Sequence, residues 1–490
     1  MQTVVRNTDP VQAAAEAFVQ YRKKSAEEKA LFLEEIANQI MDLGDELIRT
    51  VCSETNLPEG RVQGERARTI GQLKAFAAML RDGSWLEASI DTAIPDRTPA
   101  PKPDIRKMLV PLGPVVVFGA SNFPLAFSTA GGDTASAFAA GCTVIVKAHS
   151  AHLKTSDMVA TAIRKAVEKS GMPEGIFQHV SGGRQLGESL VTHPKTAAVG
   201  FTGSTSGGRA LFDMAASRKN PIPVFAEMGS INPVIILPGT LEKNAKSLAS
   251  TYAASISLSV GQFCTNPGLL LTIDGAGIDE FREALSNEFA KLSKGKMLYD
   301  RIHESFIQNR EKVLANSSVS VIHHSEEEVG ELEVTSTMAE VSGSDFLRQH
   351  FLQEEIFGPY ALLVVCKDEE ELITAWKSVS GQLTTSIMGT DQDYSQYASL
   401  VDDAIQIAGR INFNMVPTGV EVCPSMVHGG PYPATTDSRF TAVGLPAVKR
   451  WSRPVCFQNA PDHLLPAELK NKNERKIWRL VNCEFTQRDI

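Results

Sequence analysis

The spacing of hydrophobic residues changes character along the chain. Residues 9–52 place apolar side chains at helical spacing between charged ones, which predicts two or three amphipathic helices. Residues 64–77 continue this pattern and predict a further helix. Four prolines then fall between residues 91 and 104. Because proline breaks helices and is confined to exposed or edge positions of sheets, this part is predicted to be an extended connection.

From residue 114 onward, short apolar runs alternate with helical patterns. The apolar runs lie at 115–118, 143–147, 176–180 and 197–201, and the helical patterns between them lie at 126–140, 155–170 and 183–192. Strands that are apolar throughout and alternate with helices are typical of a parallel sheet covered on both faces. The sequence therefore predicts an α/β fold, with ligands bound beyond the carboxyl ends of the strands.

Three segments follow these predicted strands directly: residues 119–124, 147–150 and 202–208. The last segment combines glycines with hydroxyl side chains and runs into a helical pattern. Its spacing is neither the dinucleotide-binding fingerprint nor a P-loop. It is either a tight turn between strand and helix or a loop whose backbone N–H groups bind a phosphate, and both interpretations stay open.

Cys264 lies near the middle of the chain, between Gly261 and Gly268. These glycines and Pro267 predict a loop, so the thiol should be presented at a bend. Backbone N–H groups near a thiol lower its pKa and can bind an oxyanion, which makes Cys264 a candidate nucleophile. The alternative is that it is one of the small buried cysteines common in proteins.

Glu227 follows the apolar residues 223–226 and precedes Gly229. A carboxyl group in an apolar neighbourhood can have its pKa raised toward neutrality, which suits a general base. A single glutamate is otherwise usually a solvated surface residue.

Composition narrows the class of protein. Hydrophobic residues make up 43%, charged residues 21%, and the net charge is −9, which together argue against disorder and against a nucleic-acid partner. The first seven residues contain no apolar run, and no stretch of about 18 apolar residues occurs, so we expect a cytoplasmic protein without a membrane partner. Seven scattered cysteines support neither a disulfide framework nor a metal site.

Five motifs, in chain order and over nearly the whole sequence, resemble those of the aldehyde dehydrogenase superfamily. They occupy residues 122–124 with Lys147 downstream, 201–204, 227–229, 261–264 and 354–359. The resemblance implies that Cys264 is the nucleophile and that Glu227 is the general base. It also implies that Asn122 and the backbone N–H of Cys264 bind the oxyanion.

A nicotinamide cofactor is also implied by this resemblance. Lys147 and Glu355 would contact a ribose, and Phe357 would pack near the nicotinamide ribose. Gly203 and Ser204, in the loop after the fourth predicted strand, would contact the pyrophosphate. The implied cofactor-binding residues are Lys147, Gly203, Ser204, Gly229, Glu355 and Phe357. The sequence departs from the family at Ser230, where glycine is common, and at Ser121, where many members carry tryptophan; neither departure removes a chemical group.

The choice between NAD+ and NADP+ depends on Ser150. Many NAD-preferring members place an acid three positions after the lysine, and this chain has Ser150 there. Because no carboxylate at this position repels a 2′-phosphate, we expect NADP+ to be preferred, with NAD+ as the alternative. Arg209, Lys154 and Thr155 are candidate partners of the phosphate.

The resemblance also implies a domain organisation. A Rossmann-like cofactor domain would comprise residues 1–90 and 113–228, and an α/β catalytic domain would comprise 229–450. A small β bridging element would comprise 91–112 and 451–490. Members of the family pair through such elements, so we expect a homodimer or homotetramer.

The substrate implied is a small aldehyde. Segments 118–124, 146–149, 225–233, 417–423 and 426–435 resemble the bacterial branch that acts on α-ketoglutaric semialdehyde, and enzymes for long-chain fatty aldehydes are the alternative. A semialdehyde with a carboxylate needs a cation in its pocket. Arg439 is the first candidate, in a polar segment at 428–439, unless it pairs with Asp437 at the surface; Arg164 and Arg301 are the alternatives.

Three other functional classes stay as alternatives. A thiol hydrolase would need a histidine partner for Cys264, and none of the ten histidines lies in a recognisable motif. A CoA-acylating relative would not need Glu227, whose presence favours water as the acyl acceptor. A non-catalytic, crystallin-like structural protein would tolerate loss of the cysteine or the base, and both are present.

Overall fold

A computed structural model describes residues 9–325 and 327–490 of the 490-residue chain. Residues 1–8, where the sequence shows no apolar run, lie outside the described ranges. Within those ranges no helix is both long enough and apolar enough to cross a membrane. The cytoplasmic location stays a prediction.

The described residues form fifteen α-helices. They are α1 Pro10–Tyr21, α2 Ala26–Met41, α3 Gly44–Thr55, α4 Glu59–Asp82, α5 Gly132–Ala140, α6 Leu153–Lys169, α7 Arg184–Thr192, α8 Thr205–Ala216, α9 Pro238–Ser257, α10 Ile278–Phe289, α11 Asp300–Leu314, α12 Gly343–Arg348, α13 Glu369–Ser378, α14 Asp391–Gln396 and α15 Leu400–Ile407. The amphipathic helices predicted near the N-terminus are therefore present as α1–α4.

The same residues form nineteen β-strands. They are β1 Ser89–Asp91, β2 Ile105–Pro111, β3 Val115–Phe118, β4 Val144–Lys147, β5 Phe177–Val180, β6 Ala198–Thr202, β7 Val224–Glu227, β8 Val234–Ile236, β9 Leu269–Ile273, β10 Gly295–Lys296, β11 Ser320–His324, β12 Glu333–Val334, β13 Thr337–Ser342, β14 Tyr360–Cys366, β15 Gln382–Met388, β16 Ala408–Phe413, β17 Ser452–Gln458, β18 Arg479–Val481 and β19 Glu484–Thr486. The four strands predicted from apolar runs all occur, with bounds within one residue of the prediction at most positions.

The first large sheet has the strand order β5-β4-β3-β6-β7 and is parallel throughout. Alternate side chains of a strand point to opposite faces of a sheet. Val115 and Val117 accordingly join one hydrophobic core with α2, α4 and α6, whereas Val116 joins a second core on the other face with α1 and α7. The sheet is therefore buried on both sides, which explains why its central strand β3 is apolar at every position.

A second sheet has the order β11-β13-β14-β9-β8-β15-β16 and is parallel except at β11. Leu269 and Leu271 face one core and Leu270 faces the other. A third sheet, β17-β2-β1-β18-β19, joins segments distant in the chain, and β10 pairs with β12. The α/β class is thus confirmed, while the predicted domain bounds stay a prediction.

One predicted helix is shorter than expected. The pattern at 126–140 predicted a single helix, but α5 begins only at Gly132. The backbone N–H groups of Leu125 and Ala126 donate to Oε1 of buried Glu65 at 2.7 and 2.9 Å. In addition, the carbonyl of Phe127, which in a helix would accept from the N–H of Gly131, accepts instead from the N–H of Ala120 at 2.9 Å. Contacts outside the segment therefore override the helical preference of its alanines.

Candidate active site

The carboxyl ends of four parallel strands bring most of the predicted site residues to one edge of the first sheet. Asn122 lies in the loop after β3, Lys147 ends β4, Gly203 follows β6, and Glu227 ends β7. Parallel strands that start in register also end at a common edge, which is where such sheets bind ligands.

Cys264 lies in a turn after a short 3₁₀ helix at Leu258–Gly261. Ser259, Val260 and Gly261 have φ angles of 52°, 58° and 63°, in the left-handed region. A Cβ atom at Gly261 would lie 2.2 Å from the carbonyl oxygen of Gly358. Glycine is therefore required at this position, and the bend that it permits sets the cysteine in a loop, as predicted.

Buried amide residues bond to one another and to the backbone of the loop that contains Cys264. Nδ2 of Asn232 donates to the carbonyl of Cys264 at 2.9 Å, and Oε1 of Gln382 accepts from the N–H of Asn232 at 3.1 Å. Oγ of Ser230 lies 2.8 Å from the same Gln382 oxygen. The serine that departs from the family pattern thus has a structural partner. Asn232 and Gln382 were missed from the sequence, where only the position of Asn232 beside Pro233 could have marked it.

Glu227 is buried and contacts a histidine that the sequence did not single out as a site residue. Oε1 of Glu227 lies 2.8 Å from Nε2 of His428, and this nitrogen lies 3.5 Å from Sγ of Cys264. The carboxylate oxygen, sulfur and ring nitrogen all lie within 4.8 Å of one another. Although none of the ten histidines lies in a recognisable motif, the structure thus places one beside Cys264. The only signal in the sequence was that His428 begins the polar segment 428–439, in which a cation for the substrate was expected.

The thiol is not activated by its environment. Burial raises the pKa of Cys264 well above its usual value, and the charge of Glu227 raises it further. The Cys264 thiol is therefore protonated at neutral pH, contrary to the low pKa expected for a cysteine at a bend. A proton acceptor is needed before the sulfur can attack, and Glu227 and His428 are the groups within reach.

The candidate oxyanion-binding amide is fixed from two sides. Nδ2 of Asn122 donates to the carbonyl of Gln262 at 3.2 Å, which leaves its second N–H for another acceptor. The carbonyl of Asn122 accepts from Nη2 of Arg61 at 2.7 Å. The Arg61 guanidinium lies 4.6 Å from the ring centre of Phe123 and 4.8 Å from that of Phe263. Helix α4 thereby ties the asparagine loop to the cysteine loop, a role that its amphipathic pattern did not indicate.

Several predicted cofactor residues come together around the loop after β6. The N–H of Gly203 donates to the carbonyl of Glu227 at 3.0 Å, and the hydroxyl of Ser204 caps α8 by accepting from a backbone N–H at 3.2 Å. A Cβ atom at Gly229 would lie 2.6 Å from Oε2 of Glu355. Burial raises the pKa of Glu355 to about 7. Glu355 and Phe357 line a pocket that Phe263, next to Cys264 in the chain, also lines.

These groups fit a dinucleotide. The N-terminus of α8 offers backbone N–H groups to a pyrophosphate, and the ammonium of Lys147 and the carboxylate of Glu355 suit ribose hydroxyls. Burial lowers the pKa of Lys147, consistent with a position inside a cleft. Ser150 is exposed at the start of the short 3₁₀ helix Ser150–His152.

Two of the three candidate partners of a 2′-phosphate, Thr155 and Arg209, have their side chains bonded to carboxylates of the protein. The backbone N–H groups of Lys154 and Thr155 donate to the carboxylate of Glu54 at 2.9 and 2.8 Å. The guanidinium of Arg209 is exposed and forms an ion pair with Asp213 at 2.8 Å. The ammonium group of Lys154 and the hydroxyl of Ser150 do not take part in these contacts with Glu54 and Asp213. They are therefore the groups that remain for a 2′-phosphate.

The cations predicted for a substrate carboxylate lie at the surface. The side chain of Arg439 is 79% exposed and pairs with Asp437 at 2.5 Å, the alternative that the sequence had left open. Arg164 and Arg301 are also exposed. The polarity of segment 428–439 predicted a cation for the substrate, but polarity alone does not show whether a charged side chain points into the site or toward solvent.

The sequence matches the model of a known protein family. The model described as "Aldehyde dehydrogenase family" matches residues 6–431. The chain belongs to the aldehyde dehydrogenase family. It is an NAD(P)+-dependent aldehyde dehydrogenase, as the motifs had implied.

Two curated relatives are similar over almost the whole chain. Alpha-ketoglutaric semialdehyde dehydrogenase 2 of Azospirillum brasilense is 48% identical, over 95% of this chain and 89% of the relative. Alpha-ketoglutaric semialdehyde dehydrogenase of Acinetobacter baylyi is 44% identical, over 97% of this chain and 90% of the relative.

Solved structures show the same fold at lower identity. Methylmalonate-semialdehyde dehydrogenase from Oceanimonas doudoroffii superposes with a TM-score of 0.78 at 19% identity, over 92% of this chain and 89% of its own. Glyceraldehyde-3-phosphate dehydrogenase GapN from Methanocaldococcus jannaschii, complexed with NADP, gives 0.77 at 20% identity, over 92% and 93%. At these identities the likeness concerns the fold alone.

Proposed function

We propose that the protein oxidises α-ketoglutaric semialdehyde to 2-oxoglutarate, with Cys264 as the nucleophile. The observation that carries this proposal is the 48% and 44% identity to two α-ketoglutaric semialdehyde dehydrogenases over nearly the full chain. The juxtaposition of Cys264, Glu227 and His428 supports it, because it supplies a nucleophile and two proton acceptors in a buried site.

The first step is addition of the Cys264 sulfur to the aldehyde carbon. The thiol proton passes to His428 or Glu227, because the raised pKa of the thiol leaves little thiolate beforehand. The carbonyl oxygen becomes an oxyanion, held by the side-chain N–H of Asn122 and the backbone N–H of Cys264. One such donor is worth about 3 to 4 kcal/mol of transition-state stabilisation.

A thioester on Cys264 is the product of the oxidation. The nicotinamide of NAD(P)+, when bound, accepts the hydride that leaves the tetrahedral carbon. Glu227 then takes a proton from water, the hydroxide attacks the thioester carbon, and the sulfur leaves and is protonated again. His428 holds the Glu227 carboxylate through the 2.8 Å contact while this proton is transferred.

Cofactor preference forms a separate part of the proposal. We infer that NADP+ is preferred over NAD+, because Ser150 stands where an acid would repel the 2′-phosphate. The ammonium of Lys154 and the hydroxyl of Ser150 would receive the phosphate. The Glu54 carboxylate at the N-terminus of α6 opposes an anion there, so the preference should be modest.

A long-chain fatty aldehyde is the alternative substrate, and the charges near the nucleophile argue against it. Arg61 donates to the carbonyl of Asn122 at 2.7 Å, and Arg68 lies 5.8 Å from the ring centre of Phe127, which packs against His428. Arg410 binds the same segment of chain as Arg68, so three guanidinium groups lie around the site. An apolar tunnel for a fatty chain would not place three cations there.

The experiment that tests the proposal compares two substrates. The purified enzyme is assayed with α-ketoglutaric semialdehyde and with decanal, each with NAD+ and with NADP+, by absorbance of the reduced nicotinamide. We expect kcat/KM to favour the semialdehyde by at least about tenfold, or about 1.4 kcal/mol. Formation of 2-oxoglutarate in equal amount to reduced cofactor identifies the product. A preference for decanal would overturn the substrate and leave the catalytic residues in place.

We also propose a homodimer or homotetramer built through the third sheet. Its strand β19 lies at the edge of the sheet and exposes Phe485, and Leu464 is exposed in the same C-terminal segment. An exposed apolar edge favours pairing with another chain.

A further inference from the structure

Arg68, on α4, uses only part of its hydrogen-bonding capacity within the protein. Its Nη1 group donates to the carbonyl of Val420 at 2.7 Å. Its Nε and Nη2 groups are shielded from solvent and have no acceptor among the described residues. A charged donor that is both buried and unpaired is costly, so the two N–H groups indicate an acceptor supplied from outside the chain.

The two unpaired groups of Arg68 have the geometry of a carboxylate receptor. Nε and Nη2 lie on the same edge of the planar guanidinium, where their N–H bonds point in parallel. That edge matches the two oxygens of a carboxylate side-on, which is the arrangement that makes arginine selective for carboxylates over single-point acceptors.

The position of Arg68 is suited to a ligand that also reaches Cys264. The guanidinium lies 5.8 Å from the ring centre of Phe127, and that ring lies 6.1 Å from the ring of His428. His428 in turn contacts the sulfur. Arg68 and the catalytic histidine thus pack against the same phenyl ring.

Arg410, on β16, lies against the same segment of chain as Arg68. Its Nη1 and Nη2 groups donate to the carbonyls of Gly419 and Pro417 at 2.8 and 2.5 Å, and its shielded Nε group has no acceptor among the described residues. Arg68 binds the next carbonyl, that of Val420. The two arginines therefore both bind the segment 417–420, which brings their guanidinium groups to the same part of the chain.

We propose that Arg68, with Arg410 beside it, forms the subsite that binds the carboxylate of an ω-oxo acid substrate. This proposal rests on the proposed function and deepens it. In α-ketoglutaric semialdehyde four C–C bonds of about 1.5 Å separate the aldehyde from the carboxylate carbon, so the two ends lie about 5 Å apart when extended. With the aldehyde at Cys264, the carboxylate meets the Nε and Nη2 edge of Arg68 across the face of Phe127.

The test compares α-ketoglutaric semialdehyde with pentanal, an uncharged aldehyde of the same chain length. We expect Arg68→Met to lower kcat/KM for the semialdehyde by about 100-fold, mainly through KM, and to change kcat/KM for pentanal by less than about threefold. Arg68→Lys should fall between, because it keeps the charge and loses the two-pronged geometry. Arg439→Met is the matched control, because this arginine is exposed and already paired with Asp437, and it should leave the selectivity unchanged.

A second measurement does not depend on the aldehyde reaction. Glutarate should inhibit pentanal oxidation competitively in the wild-type enzyme, and this inhibition should weaken at least about tenfold in Arg68→Met and Arg68→Lys. Thermal unfolding of each variant shows whether it is folded. If Arg68→Met does not fold, the same comparison is made with Arg68→Lys.

The possible outcomes distinguish failure of the proposed carboxylate subsite from failure of the proposed function. Equal losses for both aldehydes, with glutarate inhibition intact, would mean that Arg68 only holds residues 417–420, and the subsite would be refuted. If the wild-type enzyme does not prefer the semialdehyde over pentanal, the proposed function fails and the subsite fails with it. A wild-type preference that survives Arg68→Met overturns the subsite alone.

Discussion

Nε2 of His428 lies 2.8 Å from Oε1 of Glu227, a contact between two buried side chains 201 residues apart in the chain. The other carboxylate oxygen of Glu227 has no hydrogen-bond partner among the described residues. The orientation of the carboxylate therefore depends on His428. Because Oε2 has no hydrogen-bond partner in the described part of the chain, it is the oxygen that can accept a proton from water.

The first prediction separates holding the carboxylate from carrying its proton. His428→Leu leaves Glu227 buried without a donor, so we expect kcat to fall by at least about tenfold. His428→Gln restores an N–H donor of similar reach but cannot carry a proton. If His428 only positions Glu227, the glutamine variant should recover most of the activity. Steady-state kcat for both variants checks this, and a fully active His428→Leu enzyme would contradict it.

The second prediction concerns Glu227 as the base for hydrolysis. Glu227→Gln keeps the shape and removes the proton acceptor, so a single burst of reduced cofactor should be followed by little turnover. The acyl-enzyme should then be detectable by intact-protein mass spectrometry. Cys264→Ala is the control: it should bind cofactor normally and give no burst. Steady-state turnover of Glu227→Gln near that of the wild type would assign the base elsewhere.

The third prediction concerns the pH dependence of the nucleophile. Burial and the charge of Glu227 raise the pKa of Cys264, so the thiolate forms only at high pH. The rate of alkylation by iodoacetamide should therefore keep rising above pH 9. Glu227→Gln removes a negative charge and should move the midpoint to lower pH. Glu355→Gln should move it less, because Glu355 contributes less to the shift. A midpoint below pH 8 in the wild type would refute the prediction.

Cys264 and Glu227 could be proposed as nucleophile and base from the sequence because both signals are local. Glu227 ends an apolar strand and Cys264 lies among turn-forming residues, so short sequence motifs were enough to identify both as candidates. His428 and Gln382 reach the site through tertiary packing across more than 150 residues, as the 164-residue separation of His428 from Cys264 shows. A hydrophobic pattern gives the period of an element and does not give its partner in space.

The role of helix α4 shows the same limit. Its buried residues include Glu65, Thr69 and Gln72 among apolar ones, and Arg61 and Arg68 fall at helical spacing on the side that meets the active site. Polar residues on a buried helix face are an informative signal. The sequence alone could not tell that face from the solvated one, because charged residues are frequent around the whole helix.

The fourth prediction concerns the cofactor. Ser150→Glu places a carboxylate where a 2′-phosphate would lie, so we expect kcat/KM for NADP+ to fall at least about tenfold and that for NAD+ to change little or rise. Ser150→Gln is the matched control, since it has the same size without the charge. Both cofactors are assayed at a fixed aldehyde concentration. A wild-type enzyme that already favours NAD+ more than about tenfold would overturn the inferred preference.

The last prediction concerns assembly. Phe485 on β19 is 75% exposed, and Trp478, just before β18, is 49% exposed. Because β19 is an edge strand, its backbone groups and these rings can pair with a second chain. Static light scattering at micromolar concentration should give at least twice the mass of one chain. Phe485→Glu should shift the enzyme toward monomer, whereas Glu484→Gln, an exposed change on the same strand, should not. A monomeric wild-type enzyme would refute the assembly, and a dimer unaffected by Phe485→Glu would place the interface on another surface.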